Sequence, residues 1–314
     1  MLVPAGGCGW RLAGPGPTLG DMAFRPYLIE EITLDCTEGV LSRREAIRRL
    51  GLLGVSGAAA AALVAAGSDR VAASGDSTPP GASTSPAEGE EITWAGPEGD
   101  LIGVFSAAEA AGGAVLVIHE NRGLTPHIRT IPPRLAADGY SALAIDLLSA
   151  EGGTASLPGE AEATAALGAA PAERLIADLR SGLDELERRV PDTQLAAIGF
   201  CFGGGMTWQL LAAGEPRLAA AVPFYGPLPD GADFAGSPSA AVLGIYAELD
   251  DRVNASRNAA DAALEAAGLV HELRTFDGVD HAFFNDTGPR YNADAAAEAY
   301  AAMLEWFASH LSAD

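Results

Sequence analysis

Gly199-Phe200-Cys201-Phe202-Gly203, continued by Gly204 and Gly205, stands directly after an apolar run and directly before a helical pattern. This is the spacing of a nucleophile elbow, with Cys where Ser is commoner. The flanking glycines have a steric reason. The nucleophile occupies a strained turn whose neighbours are close-packed, and a Cβ at either glycine would clash. The turn places the Cys201 sulfur at a helix N-terminus, where the dipole favours a thiolate. It also leaves the N–H of Phe202 to stabilise an oxyanion. The plainer alternative, a buried structural cysteine in a Gly-rich turn, fits the five residues but not their place between strand and helix.

Working outward, short apolar runs alternate with amphipathic stretches from Glu91 onward. Glu91 to Trp94 and Leu101 to Ser106 flank Gly96-Pro97-Glu98-Gly99-Asp100, a hairpin signal. Gly113–His119, Ser141–Asp146, Gln194–Phe200, Leu218–Tyr225 and Ala240–Ala247 are continuous apolar runs of the kind that form buried parallel strands. Val270–Phe276 is a last, more alternating strand. Helical patterns cover Ala172–Arg189, Gly203–Ala213, Ala255–Ala267 and Asn292–Leu311. The alternation predicts one α/β domain, a mainly parallel sheet with helices on both faces. Pro132-Pro133 must break or restart a helix.

A nucleophilic cysteine needs a base, and the base an orienting acid. Of the five histidines, His281 lies in a loop after the last strand, whereas His271 lies in that strand and His310 in the terminal helix. Glu248-Leu249-Asp250-Asp251 ends the preceding strand, so Asp250 or Asp251 holds the imidazole.

Nucleophile, acid and base in this order resemble the dienelactone hydrolases (carboxymethylenebutenolidases), a branch of the α/β-hydrolase fold. The resemblance runs over about residues 92–311 and is carried by several motifs besides the elbow. These are Val117-Ile118-His119-Glu120-Asn121-Arg122-Gly123-Leu124, Ala144-Ile145-Asp146-Leu147-Leu148-Ser149, His281-Ala282-Phe283-Phe284-Asn285-Asp286 and Pro289-Arg290-Tyr291-Asn292. It implies a single-domain α/β-hydrolase fold and cleavage of an ester or lactone through Cys201, His281 and Asp250 with a thioacyl intermediate. The family pattern, an acidic residue followed by two variable positions and Val, selects Asp250, before Asp251-Arg252-Val253. Glu120 matches the glutamate that hydrogen-bonds the resting thiol, and the N–H of Asn121 matches the second oxyanion donor. The family's two carboxylate-holding arginines have no residue-by-residue match. Arg122 and Arg290 are the candidates to substitute, with Tyr225 and Phe283 as further pocket residues. A thioesterase or peptidase on the same triad, or a non-catalytic exported binding protein, are the alternative readings.

The 314 residues carry 42 Asp+Glu against 19 Lys+Arg, and every cation is an arginine. Absence of lysine excludes a Walker-type phosphate loop and Schiff-base chemistry. A net charge of −23 repels phosphate backbones, so no nucleic-acid partner is expected. No metal-ligand spacing and no dinucleotide fingerprint occur, so no metal and no cofactor is expected. The expected partner is a small ester or lactone, and no motif specifies an oligomeric state. Residues 1–73 read as a leader, with Met22 a second candidate start. Ser42-Arg43-Arg44, the charge-free run Leu50–Gly67 and the small exit Val71-Ala72-Ala73-Ser74 make a twin-arginine-type export signal, or an uncleaved anchor. Cleavage after Ala73 would leave Cys201 as the one cysteine, because Cys8 and Cys36 precede it. Residues 74–90 read as a flexible tether and 91–314 as the catalytic domain.

Overall fold

The computed structural model describes residues 24–67 and 89–311. Met22, the exit at Ala73 and the tether up to residue 88 lie outside the described residues. The N-terminal part is helical: α1 (Arg25–Thr37), α2 (Arg43–Leu52) and α3 (Gly57–Gly67). Pro26 sits in the first turn of α1, where its missing N–H costs nothing. Ser42 caps α2 by accepting from the Glu45 N–H at 3.2 Å. The charge-free run expected as one stretch is broken between α2 and α3, where Gly54 takes φ +78°. Leu28, Ile32, Ala46, Leu50, Leu53, Ala60 and Val64 form the small core of this hairpin. No helix among the described residues is long and apolar enough to cross a membrane.

The remainder follows the alternating plan. A hairpin of β1 (Glu90–Gly96) and β2 (Gly99–Ser106) leads to β3 (Ala114–Ile118). Next come α4 (Pro126–Arg129), α5 (Ile131–Ala137) and β4 (Ser141–Asp146). Pro132 and Pro133 fall in the first turn of α5, so the helix restarts there as the sequence predicts. Then follow α6 (Glu160–Ala169), α7 (Ala172–Arg189), β5 (Leu195–Phe200), α8 (Phe202–Ala212), β6 (Leu218–Phe224) and β7 (Ala241–Ala247). The chain closes with α9 (Asp251–Asn254), α10 (Arg257–Ala267), β8 (His271–Phe276) and α11 (Ala293–His310).

The eight strands form one sheet in the order β1-β2-β4-β3-β5-β6-β7-β8. The β1/β2 and β2/β4 pairs are antiparallel and every other pair is parallel. Every residue of β3, β4, β5 and β7 is buried. Side chains alternate between faces along a strand, so the sheet is covered on both. The C-terminal ends of β3, β5 and β7 lie side by side in this order with β6 between the last two, and from those ends the candidate site is built.

Candidate active site

Cys201 joins β5 to α8 with φ 57° and ψ −115°, a conformation that side chains rarely adopt. Its N–H donates to Phe224 O at 3.0 Å, and its carbonyl accepts from the Gly205 N–H at 3.0 Å. A Cβ at Gly199 would stand 2.0 Å from Gly203 O, and one at Gly203 would stand 2.3 Å from Ile118 O. Both contacts are with backbone, so the turn requires glycine at each position. The Phe202 amide opens α8, among the first N–H groups that have no intrahelical partner.

Asp250 ends β7 and caps α9, accepting from the Val253 N–H at 3.2 Å. Its other carboxylate oxygen is 2.6 Å from His281 Nδ1. Asp251 is exposed, whereas Asp250 is buried. Burial opposes ionisation of Asp250, but the imidazole beside it outweighs burial and holds the carboxyl below its ordinary value. Burial likewise works against a charged His281, and the Asp250 carboxylate overrides it, raising the imidazole well above its ordinary value. With Nδ1 committed to Asp250, Nε2 is a buried nitrogen without a hydrogen-bond partner.

Cys201 is buried, and burial first and Glu31 second push its thiol up, so it rests protonated. The thiol donates towards the Glu31 carboxylate, with oxygens at 3.4 and 3.6 Å, and the Tyr27 hydroxyl lies 3.4 Å from Sγ. Both residues come from α1. Asn121 Nδ2 donates to the same Glu31 oxygen at 2.9 Å. The Tyr27 ring carries the Arg252 guanidinium 4.2 Å above its centroid.

Glu120, expected on the sulfur, is engaged elsewhere. It ends β3 beside the site, and one of its oxygens accepts from Asn285 Nδ2 at 2.6 Å while the other is buried without a partner. The carboxylate on the thiol is Glu31. Sequence reading passed over it because 170 residues separate it from Cys201, although Tyr27, Glu31 and Asp35 at i, i+4 and i+8 already form a helical stripe. Arg122 lines the cavity and lies 3.6 Å from Glu160. Arg290 lines it too, but is held by Asp35 at 2.8 Å and by Glu38. Tyr225 and Phe283, expected as pocket residues, are both core. The Tyr225 ring packs on His281 at 5.2 Å and on Phe283 at 5.7 Å, and both are fully buried. Phe276 closes the other side of Phe283.

Among the described residues, Glu31, Cys201 and His281 are the group that could hold a metal ion, with their ligand atoms within 4.8 Å of one another. The same closeness would allow a proton to pass between sulfur and imidazole. A hydrogen-bond-ready base, a buried thiol and amides at the head of a helix are the parts of an acyl-transfer site.

The model of the Dienelactone hydrolase family matches residues 103–311. A protein of Escherichia coli O157:H7 named "Putative carboxymethylenebutenolidase" is 36% identical over 207 residues, 62% of this chain and 75% of its own length. A protein of the same name from Saccharolobus solfataricus is 28% identical over 221 residues, covering 60% and 85%. Among solved structures, a dienelactone hydrolase-like promiscuous phosphotriesterase from metagenomic libraries superposes with a TM-score of 0.60 at 26% identity, covering 71% of this chain and 98% of that one.

Proposed function

The chain belongs to the dienelactone hydrolase family, and on that premise we propose that it cleaves a carboxylic ester or lactone through Cys201, His281 and Asp250. The observation that carries this reading is the 2.6 Å Asp250–His281 pair delivered beside a buried thiol in a strained elbow. Asp250 fixes the proton on Nδ1 and orients Nε2, which takes the thiol proton in the fraction of molecules whose raised imidazole is neutral. Sγ then attacks the carbonyl carbon, and the oxyanion is held by the amides of Phe202 and Asn121. Collapse breaks the acyl C–O bond, and His281 returns the proton to the departing alkoxide. In a lactone that alkoxide stays tethered to the acyl group. Water, deprotonated by His281, attacks the thioester and releases the acid and the thiol. Each oxyanion donor is expected to contribute roughly 100- to 1000-fold in turnover.

Export by the twin-arginine route is part of the same proposal. Arg43 and Arg44 are exposed in the first turn of α2, where a receptor can read them in the folded chain. The decisive test is turnover of a small activated ester by the purified chain, with mass spectrometry of the trapped enzyme. Cys201→Ala should abolish turnover and the acyl adduct together. Full activity in that variant removes Cys201 as the nucleophile.

A further inference from the structure

The cavity that reaches Cys201 and His281 has a volume of about 30 Å³. Pockets that enclose a small organic ligand run to about 300–1,000 Å³, so this one is too small for an ester. What fills the difference is α1. Glu31 and Asp35 line the cavity together with Asn121, Arg122, Cys201 and Arg290. One face of α1 meets the catalytic residues in sequence order. Tyr27 reaches Sγ and lies under Arg252, Glu31 reaches Sγ and Asn121, and Asp35 and Glu38 reach Arg290.

The contacts have the chemistry of a bound acid. A carboxylate stands at the sulfur and at the residue expected to supply an oxyanion donor. About one helical turn on, about 6 Å along the axis, Asp35, and beyond it Glu38 at the C-cap, neutralise an arginine. Arg290 has one other acid at hand, Asp280 at 3.8 Å. We propose that α1 is an intramolecular plug: Glu31 holds the thiol, Asp35 and Glu38 hold Arg290, and α1 must withdraw before a substrate enters. That an ester is what enters rests on the hydrolase function proposed above, whereas the occupancy of the site by α1 does not.

A withdrawing segment needs a modest hold. The α1–α3 segment has its own small core, and several polar pairs join it to the catalytic part. These include Arg48–Glu162 and Arg49–Glu160 on α6, besides the α1 contacts. Apolar contact comes from Leu28 and Leu53 near Gly168, and from Phe24, which joins the main core against Phe202 and Gly205. The same arrangement keeps a reactive thiol buried and protonated while α1 is seated, which slows its oxidation.

The test uses the full chain and two readouts. In the double variant Asp35→Asn/Glu38→Gln, which alters only the acids on Arg290, iodoacetamide should alkylate Cys201 at least ~10-fold faster than in wild type. That factor is what loss of a charge-assisted hydrogen bond implies. The Cys201 peptide is followed by mass spectrometry because Cys8 and Cys36 also react. Hydrogen exchange on the wild-type chain gives a reading that needs no variant: saturating glutarate should accelerate exchange of the α1 amides. Wild-type labelling rates in the double variant, or exchange unchanged or slowed by glutarate, overturn the plug. Faster labelling without any Cys201-dependent turnover keeps the plug and removes the hydrolase reading. Cys201-dependent turnover with unaltered labelling does the reverse.

Discussion

Gly203→Ala separates two effects of opposite sign. In an ordinary helix interior, alanine in place of glycine stabilises by about 0.5–1 kcal/mol. Gly203 lies in the first turn of α8, so propensity alone argues for a more stable protein. The structure argues the other way. The new Cβ would sit 2.3 Å from Ile118 O and 2.6 Å from His119 O, both backbone atoms at the end of β3. An ordinary contact needs about 3.4 Å, so α8 and β3 must separate by about 1 Å. Overpacking of this kind costs typically about 1–3 kcal/mol, which exceeds the helix gain, and the net change is a destabilisation of about 1–2 kcal/mol. The same displacement moves Cys201 and the Phe202 amide, on one side, away from Asn121, on the other. A misplacement of about 1 Å in a reacting constellation is expected to cost on the order of 100-fold in turnover. Urea unfolding gives the first number and kcat/KM on an activated ester the second. A variant at least as stable as wild type, with kcat/KM within about three-fold, would falsify the elbow as the element that sets the geometry.

Three further outcomes follow from the site. Asp250→Asn should lower kcat by about 10⁴ with little change in KM, because the imidazole loses the partner that fixes its tautomer. The stability lost in that variant should itself depend on pH. The depressed Asp250 carboxyl contributes above about 3.9, its unfolded value, and that share disappears as pH falls through the folded value. The raised His281 contributes below about 6.5 and its share is lost as pH rises through the folded value, so the wild-type advantage is largest at about pH 4–6.5; a flat difference across pH 2–9 refutes the coupling. Iodoacetamide labelling of Cys201 in the wild-type chain should stay slow at neutral pH and climb only above about 8.5, the ordinary thiol value, since burial and Glu31 push it up. A labelling midpoint below 7 contradicts the protonated resting thiol.

The catalytic half of the chain was legible because its constraints are local. Strand and helix alternate over short spans, Ala172–Arg189 has the same limits in sequence and structure, and the elbow demands glycine two residues either side of Cys201. Two features resisted. The helix α6 is rich in Ala with little amphipathic contrast, so no period marks it. The segment 24–67 carries a signal-like pattern, and its docking depends on pairs such as Arg290–Asp35 that are 255 residues apart. A composition reading assigns such a segment to export and has no term for a contact that distant. Asp250 against Asp251 was likewise open to chemistry alone, and geometry separates them through burial.

If α1 withdraws as proposed, Glu120 and Glu31 divide one task between two states of the molecule. Two carboxylates on one buried sulfur would repel each other, so only one can occupy it. With α1 seated, Glu31 holds the thiol, and Asn285 holds one oxygen of Glu120 while leaving the other unpartnered. Once α1 is displaced, Glu120 is the remaining carboxylate beside Cys201, which is the position that the family motif implies for it. Glu120→Gln should therefore change Cys201 labelling little in the wild-type chain. In the Asp35→Asn/Glu38→Gln background it should accelerate labelling several-fold, roughly 5- to 10-fold if one charged hydrogen bond is removed. A double-mutant comparison of the four rates measures the interaction directly. An equal effect of Glu120→Gln in both backgrounds would mean that Glu31 and Glu120 do not alternate at the sulfur.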